Sequence, residues 1–281
     1  MATALITDST CDLPLERAEA LRATVVPLYV TVGSKSYRDV YEISTDEVYA
    51  QAKAQNVIPS TSQPTPADFQ ASFEGALQGG ADRVLAVVLS GVLSGTVKSA
   101  LLAANAFPGR VTVFDSGVAT GGLGLMVERA SRLLAEGATA ADVVGTLERI
   151  KPRSSTRFTV ATLDYLIKNG RIGAARGFFA SLLGIHPMLV LENERMEAAG
   201  RPRGARRALE QSIEDVKAYV QRTGSARAMF MYTGRREQVE PLRDACLKLG
   251  VREAGTFQAG TTIACHVGPD TYGLCLEPVD A

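Results

Sequence analysis

The hydrophobic positions fall into two regimes. Up to about residue 150, apolar runs of strand length alternate with stretches of helical spacing. The run 4–7 ends in Asp8-Ser9-Thr10 and predicts a buried strand entering a polar loop. A helix is expected from 13 to about 22, with Pro14 in its first turn, where proline is tolerated. Residues 24–32 are rich in β-branched side chains and predict a second strand. Ser44-Thr45-Asp46-Glu47 opens a helix with a hydroxyl cap and early acidic residues. Residues 59–66 are expected to be a loop and 67–77 a helix. The runs 84–89 and 111–114 are continuously apolar, as parallel strands buried on both faces are. Helices follow over about 117–136 and 140–150.

The pattern changes after Lys151-Pro152. Apolar segments come at 157–162, 185–191, 226–232, 256–258, 261–267 and 272–276, several of them close enough to be antiparallel neighbours. Helical spacing is found near 163–169, 174–183, 205–222 and 236–249. The expected fold is α/β with two domains. Residues 1–150 form an N-terminal domain on an open, mostly parallel sheet. Residues 151–281 form a C-terminal α+β domain with a mixed or antiparallel sheet.

Composition narrows the function. Lys+Arg and Asp+Glu are both 30, and zero net charge argues against a dedicated nucleic-acid binder. The four cysteines, Cys11, Cys246, Cys265 and Cys275, form no C-x-x-C pair, which argues against a structural zinc site. Cys265 and Cys275 are spaced to face each other across a hairpin near Asp270, but free buried thiols are the expected state. The N-terminus has no basic and apolar leader pattern, and no apolar stretch is long enough to span a bilayer, so the expected location is cytoplasmic.

In open α/β sheets, ligands bind beyond the carboxyl ends of the strands. Three expected strands end there in polar turns: Asp8-Ser9-Thr10, Ser90-Gly91-Val92-Leu93-Ser94-Gly95-Thr96 and Asp115-Ser116. In the middle one, Ser94, Gly95 and Thr96 lead into a helix whose N-terminus favours a carboxylate or phosphate, though the same residues serve equally as plain caps. Thr61-Ser62-Gln63-Pro64 is a second polar loop, and an ordinary turn accounts for it on its own. Of the two histidines, His266 ends an expected strand before Gly268-Pro269, while His186 lies in an apolar run before Pro187. Arg171 sits in a glycine-flanked turn, and Arg195, Arg201, Arg203, Arg206 and Arg207 form a basic cluster. Such a cluster reads as a solvated face or as a docking surface for an acidic partner. No P-loop, G-x-G-x-x-G fingerprint or G-x-S-x-G elbow is present, which counts against a nucleotide-using enzyme or an α/β-hydrolase.

Taken in order, five segments resemble the DegV family over nearly the whole chain. They are Ile6-Thr7-Asp8-Ser9-Thr10-Cys11-Asp12-Leu13-Pro14, Ser60-Thr61-Ser62-Gln63-Pro64, Ser90 to Thr96, Thr162-Leu163-Asp164-Tyr165-Leu166 with Gly170-Arg171-Ile172-Gly173, and Cys265-His266-Val267-Gly268-Pro269. The resemblance implies a long-chain fatty acid held between the two domains, with no other cofactor. It also implies a non-catalytic role, as the acyl-binding subunit (FakB) of a bacterial fatty acid kinase. A separate FakA-type, ATP-binding subunit would phosphorylate the bound acid, and the acyl phosphate would feed phospholipid synthesis. By position, Thr61 and Ser94 match hydroxyls that bond the carboxylate, and His266 matches a histidine beside it. Arg171 and Arg203 match arginines near the head group or the kinase-docking face. The candidate ligand-binding set is therefore Thr61, Ser62, Ser94, Gly95, Thr96, His266, Arg171 and Arg203. Gly177-Phe178-Phe179 and Leu182-Leu183 are apolar enough to line a tail pocket or simply to fill a core. Val97, His186 and Gly204-Ala205 depart from the family pattern and put retention of the docking surface in question. Two other functions stay open: a stand-alone acyl hydrolase or phosphotransferase using Ser94 and His266, and a binder of another apolar carboxylate with no kinase partner.

Overall fold

The computed structural model describes residues 2–178 and 185–279. In chain order the first part holds β1 (Thr3–Asp8), α1 (Leu15–Ala20), β2 (Ala23–Val26), β3 (Tyr29–Val32), β4 (Lys35–Arg38), α2 (Thr45–Gln55), β5 (Ser60–Ser62), α3 (Pro66–Gln78), β6 (Arg83–Val88), α4 (Thr96–Ala104), β7 (Val111–Asp115), α5 (Gly121–Ala135) and α6 (Ala140–Ile150). The rest holds β8 (Ser155–Thr159), α7 (Asp164–Lys168), β9 (Met188–Glu192), β10 (Arg195–Gly200), α8 (Ala205–Thr223), β11 (Ala226–Tyr232), α9 (Glu240–Lys248), β12 (Arg252–Gln258), α10 (Thr261–Val267) and β13 (Tyr272–Pro278).

A four-stranded parallel sheet has the order β2-β1-β6-β7, and a six-stranded sheet has the order β10-β9-β8-β13-β11-β12. The second is antiparallel except where β11 pairs β12. This is the mixed α/β fold expected from the hydrophobic pattern. Val84, Leu85, Ala86, Val87 and Val88 of β6 are completely buried, which is why that strand reads as an unbroken apolar run. Helix α5 lies between the two sheets, against β1 and β6 on one side and β11 and β13 on the other. Its glycines permit that approach: a Cβ on Gly121 would come within 2.8 Å of Met229 Cβ, and one on Gly124 within 2.7 Å of the Cys11 carbonyl oxygen. One core joins the halves, with Leu5, Leu85, Leu123, Met229 and Cys275 in a single cluster.

Several local expectations are corrected. The strand expected over 24–32 is two strands in different sheets. Pro27, which cannot donate to a ladder, stands between them. β3 leaves to form a small antiparallel sheet of order β4-β3-β5. The loop expected over 59–66 supplies β5, where Thr61 pairs with Val30. Arg195 opens β10, after a hairpin turn at Asn193 and Glu194, both with positive φ. The helix expected over 236–249 is a 3-10 turn at Arg236–Gln238 followed by α9. Over 174–183 the described part is a 3-10 turn, Gly173–Phe178. All four cysteines are free and buried.

The largest correction is the run 261–267, expected as a strand and found as helix α10. Its β-branched composition disfavours helix. Its ends, however, are satisfied from distant parts of the chain. The Asp39 carboxylate accepts the Thr261 and Thr262 N–H groups at 3.1 and 3.4 Å, and also the Thr261 hydroxyl. At the other end, Tyr49 donates to the Ala264 carbonyl at 3.1 Å and Asn169 to that of Cys265 at 2.9 Å. Thr271 donates to the Val267 carbonyl at 2.9 Å.

Candidate functional site

The loops at the carboxyl ends of β1, β6 and β7 face the six-stranded sheet across a cavity of about 360 Å³. That size falls within the range of small-molecule pockets, ~300–1,000 Å³. Leu28, Leu89 and Ala119 line it from one side and Leu191, Met231 and Leu274 from the other, with α10 along its length. Polar side chains gather at one end: Thr61, Ser62, Ser94, Arg171 and His266 all line it. Residues 205 positions apart meet there, with His266 Nε2 and Thr61 Oγ1 2.8 Å apart.

Each group is held by its neighbours. Asn169 donates to the carbonyls of Pro59 and Cys265, tying the strand that carries Thr61 to the helix that carries His266. Ser94 Oγ lies 2.8 Å from Thr96 Oγ1 and accepts the Thr96 N–H. Ser94 is thus bonded to Thr96, while His266 is bonded to Thr61. Arg171 is exposed at the rim and donates to the Leu93 and Asn169 carbonyls at 3.1 and 2.6 Å. Behind these groups, Asp8 accepts the Leu89 N–H at 2.7 Å and both the N–H and hydroxyl of Thr10. Burial nevertheless pushes the Asp8 carboxyl up to about 6. Burial also holds Asp12 well above the usual carboxylate range, although it accepts the Thr120 hydroxyl at 2.6 Å. The segment 8–12 therefore fixes the loops that surround the cavity.

Of the sequence candidates, five line the cavity. Gly95 and Thr96 do not. Thr96 is buried and orients Ser94, and Gly95 leaves room for Gln63, whose Oε1 would lie 2.0 Å from a Cβ there. Arg203 is exposed, outside the cavity lining, in an isolated bridge with Ile185. Gly177 is exposed, while Phe179, Leu182 and Leu183 lie outside the described residues. Asp39, Asn169 and Thr262 escaped notice in the sequence, since their roles rest on partners up to hundreds of residues away. Among the described residues, no group of three His, Cys, Asp or Glu is arranged to hold a metal. None of the described helices is long and apolar enough to cross a membrane.

Burial, reinforced by the charge of Arg171, lowers the His266 imidazole from its ordinary 6.5 to about 4. The folded protein therefore resists a proton that the unfolded chain accepts. The contribution of His266 to stability is full above pH 6.5 and is lost as pH falls towards 4. The melting temperature of His266→Gln, measured relative to wild type, should accordingly rise as pH is lowered through that window. Asp8 titrates there in both proteins and cancels. A pH-independent difference would show that His266 is not held neutral.

The family model described as "Uncharacterised protein, DegV family" matches residues 2–279. The chain belongs to the DegV family. A DegV domain-containing protein of Deinococcus radiodurans is 44% identical over 282 residues, covering 100% of both chains. A protein of Thermotoga maritima described as a fatty acid-binding protein is 30% identical, covering 100% of this chain and 99% of its own. Among solved structures, one described as "Fatty Acid Binding of a DegV family Protein from Thermus thermophilus" superposes with a TM-score of 0.95 at 42% identity, covering 99% of this chain and 100% of that one. The DegV architecture thus holds over essentially the full length, and fatty acid binding is described for the Thermotoga maritima and Thermus thermophilus proteins.

Proposed function

We propose that this protein binds one long-chain fatty acid and presents its carboxylate to a separate ATP-dependent kinase subunit for acyl phosphate formation. The observation that carries the reading is the cavity itself, polar at its rim and mostly apolar within. An apolar interior suits an alkyl chain, each buried CH₂ contributing about 0.8 kcal/mol. A buried carboxylate needs donors. The hydroxyls of Thr61 and Ser94 supply them, and Arg171 adds a favourable charge. When Nε2 of His266 carries the proton, it donates to Thr61 and leaves the threonine hydroxyl hydrogen for the ligand. The fatty acid binding described for family members supports the same ligand class here. Presentation to a partner is favoured by the polar end being the open end. With Ser62 and Arg171 exposed there, a bound carboxylate would face an incoming phosphoryl donor.

Extraction of the purified protein with organic solvent, followed by mass spectrometry, should yield fatty acid at about one per chain. Thr61→Val and Ser94→Ala should each weaken binding by about tenfold, the value of one charge-assisted hydrogen bond. Adding ATP and a kinase subunit should convert the bound acid to acyl phosphate. A protein that carries no lipid and refuses added fatty acid would sink the reading. Ester hydrolysis abolished by Ser94→Ala would instead establish the hydrolase, although Ser94 is bonded to Thr96 rather than to His266 as a nucleophile paired with its base would be.

A further inference from the structure

The cavity is not uniformly apolar beyond its rim. Thr10, Thr120 and Thr262 line it as well. Two of their hydroxyls are engaged as donors, Thr10 to Asp8 and Thr120 to Asp12. Each keeps lone pairs able to accept a hydrogen bond. Thr262 is different: it is 3% exposed, and its Oγ1 is buried with no hydrogen-bond partner. Native proteins rarely leave such a group unpaired without a reason. Helical threonine divides between two χ1 rotamers, and the change of rotamer exchanges methyl and hydroxyl at the cavity wall. Thr262 also stands four residues before His266 on the same face of α10, about 6 Å along the helix axis from the carboxylate end.

We infer that Thr262, with Thr10 and Thr120, forms a subsite for a hydroxyl on the acyl chain near its carboxyl end, so that the ligand class extends to long-chain hydroxy acids; this rests on the fatty-acid reading above. The donor pattern suits an alcohol. A ligand hydroxyl can accept from Thr262 and donate to a Thr10 or Thr120 oxygen, whereas a ketone can accept but not donate. A plain methylene chain passing the same point leaves Thr262 unpaired.

The test is calorimetric titration of the delipidated protein with hexadecanoic acid and its isomers hydroxylated either in the carboxyl-proximal third or at the terminal carbon. Wild type should prefer the proximal over the terminal isomer by about fivefold, the scale of one net hydrogen bond. That ratio should fall to about one in the isosteric Thr262→Val and persist in Thr262→Ser. In wild type alone, the proximal keto acid should bind more weakly than the proximal alcohol, which keeps the test open if Thr262→Val does not fold. No preference in wild type, the same ratio in Thr262→Val, or a keto acid binding as well as the alcohol overturns the inference, as when water fills the subsite. Failure of wild type to bind hexadecanoic acid itself would instead overturn the fatty-acid reading and this inference with it.

Discussion

Asp39→Ala is expected to lose about 3–4 kcal/mol of stability and to bind fatty acid at least tenfold more weakly than wild type, although Asp39 does not line the cavity. The carboxylate is completely buried. One oxygen accepts the Ser9 hydroxyl at 2.7 Å, and Ser9 in turn accepts the Leu28 N–H at 3.0 Å. The other takes the Thr261 N–H, the Thr262 N–H and the Thr261 hydroxyl at the start of α10. Removing it leaves these donors buried and unpaired, and also removes a negative charge from a helix N-terminus. A helix of this composition and seven residues has little stability of its own, so His266 would lose its place beside Thr61. Asp39→Asn should fall between wild type and alanine, because its amide oxygen can still cap α10 while its NH₂ cannot accept from Ser9. Thermal melts and ligand titration check the order. An alanine variant that melts with wild type and keeps its affinity would show that α10 is held by packing alone.

The same residue explains what the sequence could and could not disclose. Runs buried on both faces, such as β6, are legible because every side chain must be apolar. The Ser94 hydroxyl beyond β6 was legible as a candidate because loops beyond a parallel sheet are where ligands bind, whereas Thr61 on β5 entered by resemblance alone. The seven residues of α10 were misread because Thr261-Thr262-Ile263 favours strand locally, while the acceptor that overrides this preference is Asp39, 222 positions away. Nothing near Asp39 marks it as a cap for another segment. The split of 24–32 had a local signal in Pro27, but β5 had none, since Ser60–Ser62 becomes a strand through pairing with β3. Arg203 was carried into the site by resemblance, and the fold leaves it outside the cavity lining. Gly95 and Thr96 belong to the site as supports, a role that spacing cannot distinguish from contact.

Glu277→Ala should be the most destabilising single change, by about 3–5 kcal/mol, with no direct effect on the ligand. Glu277 is 1% exposed on β13. It accepts from Arg129 of α5 at 2.7 Å and from Arg227 of β11 at 2.7 Å. Arg227 also reaches Glu128 at 3.2 Å, and Arg17 of α1 pairs with the same carboxylate. Five charges thus cross between α5, which backs the parallel sheet, and the six-stranded sheet opposite, so the network fixes the gap in which the cavity lies. Truncating Glu277 strands Arg129, only 6% exposed, with the Pro278 and Val279 carbonyls left to accept from it among the described residues. Because the pair is desolvated, added salt should barely change the loss. The double variant Arg129→Met/Glu277→Leu removes both charges and fills the space, so it should cost several kcal/mol less than the two single changes summed. Denaturant melts of the four proteins give the coupling directly. Strict additivity would mean that the two charges contribute independently, and that the sheets are held apart by the glycine-faced packing of α5 rather than by the ion pairs.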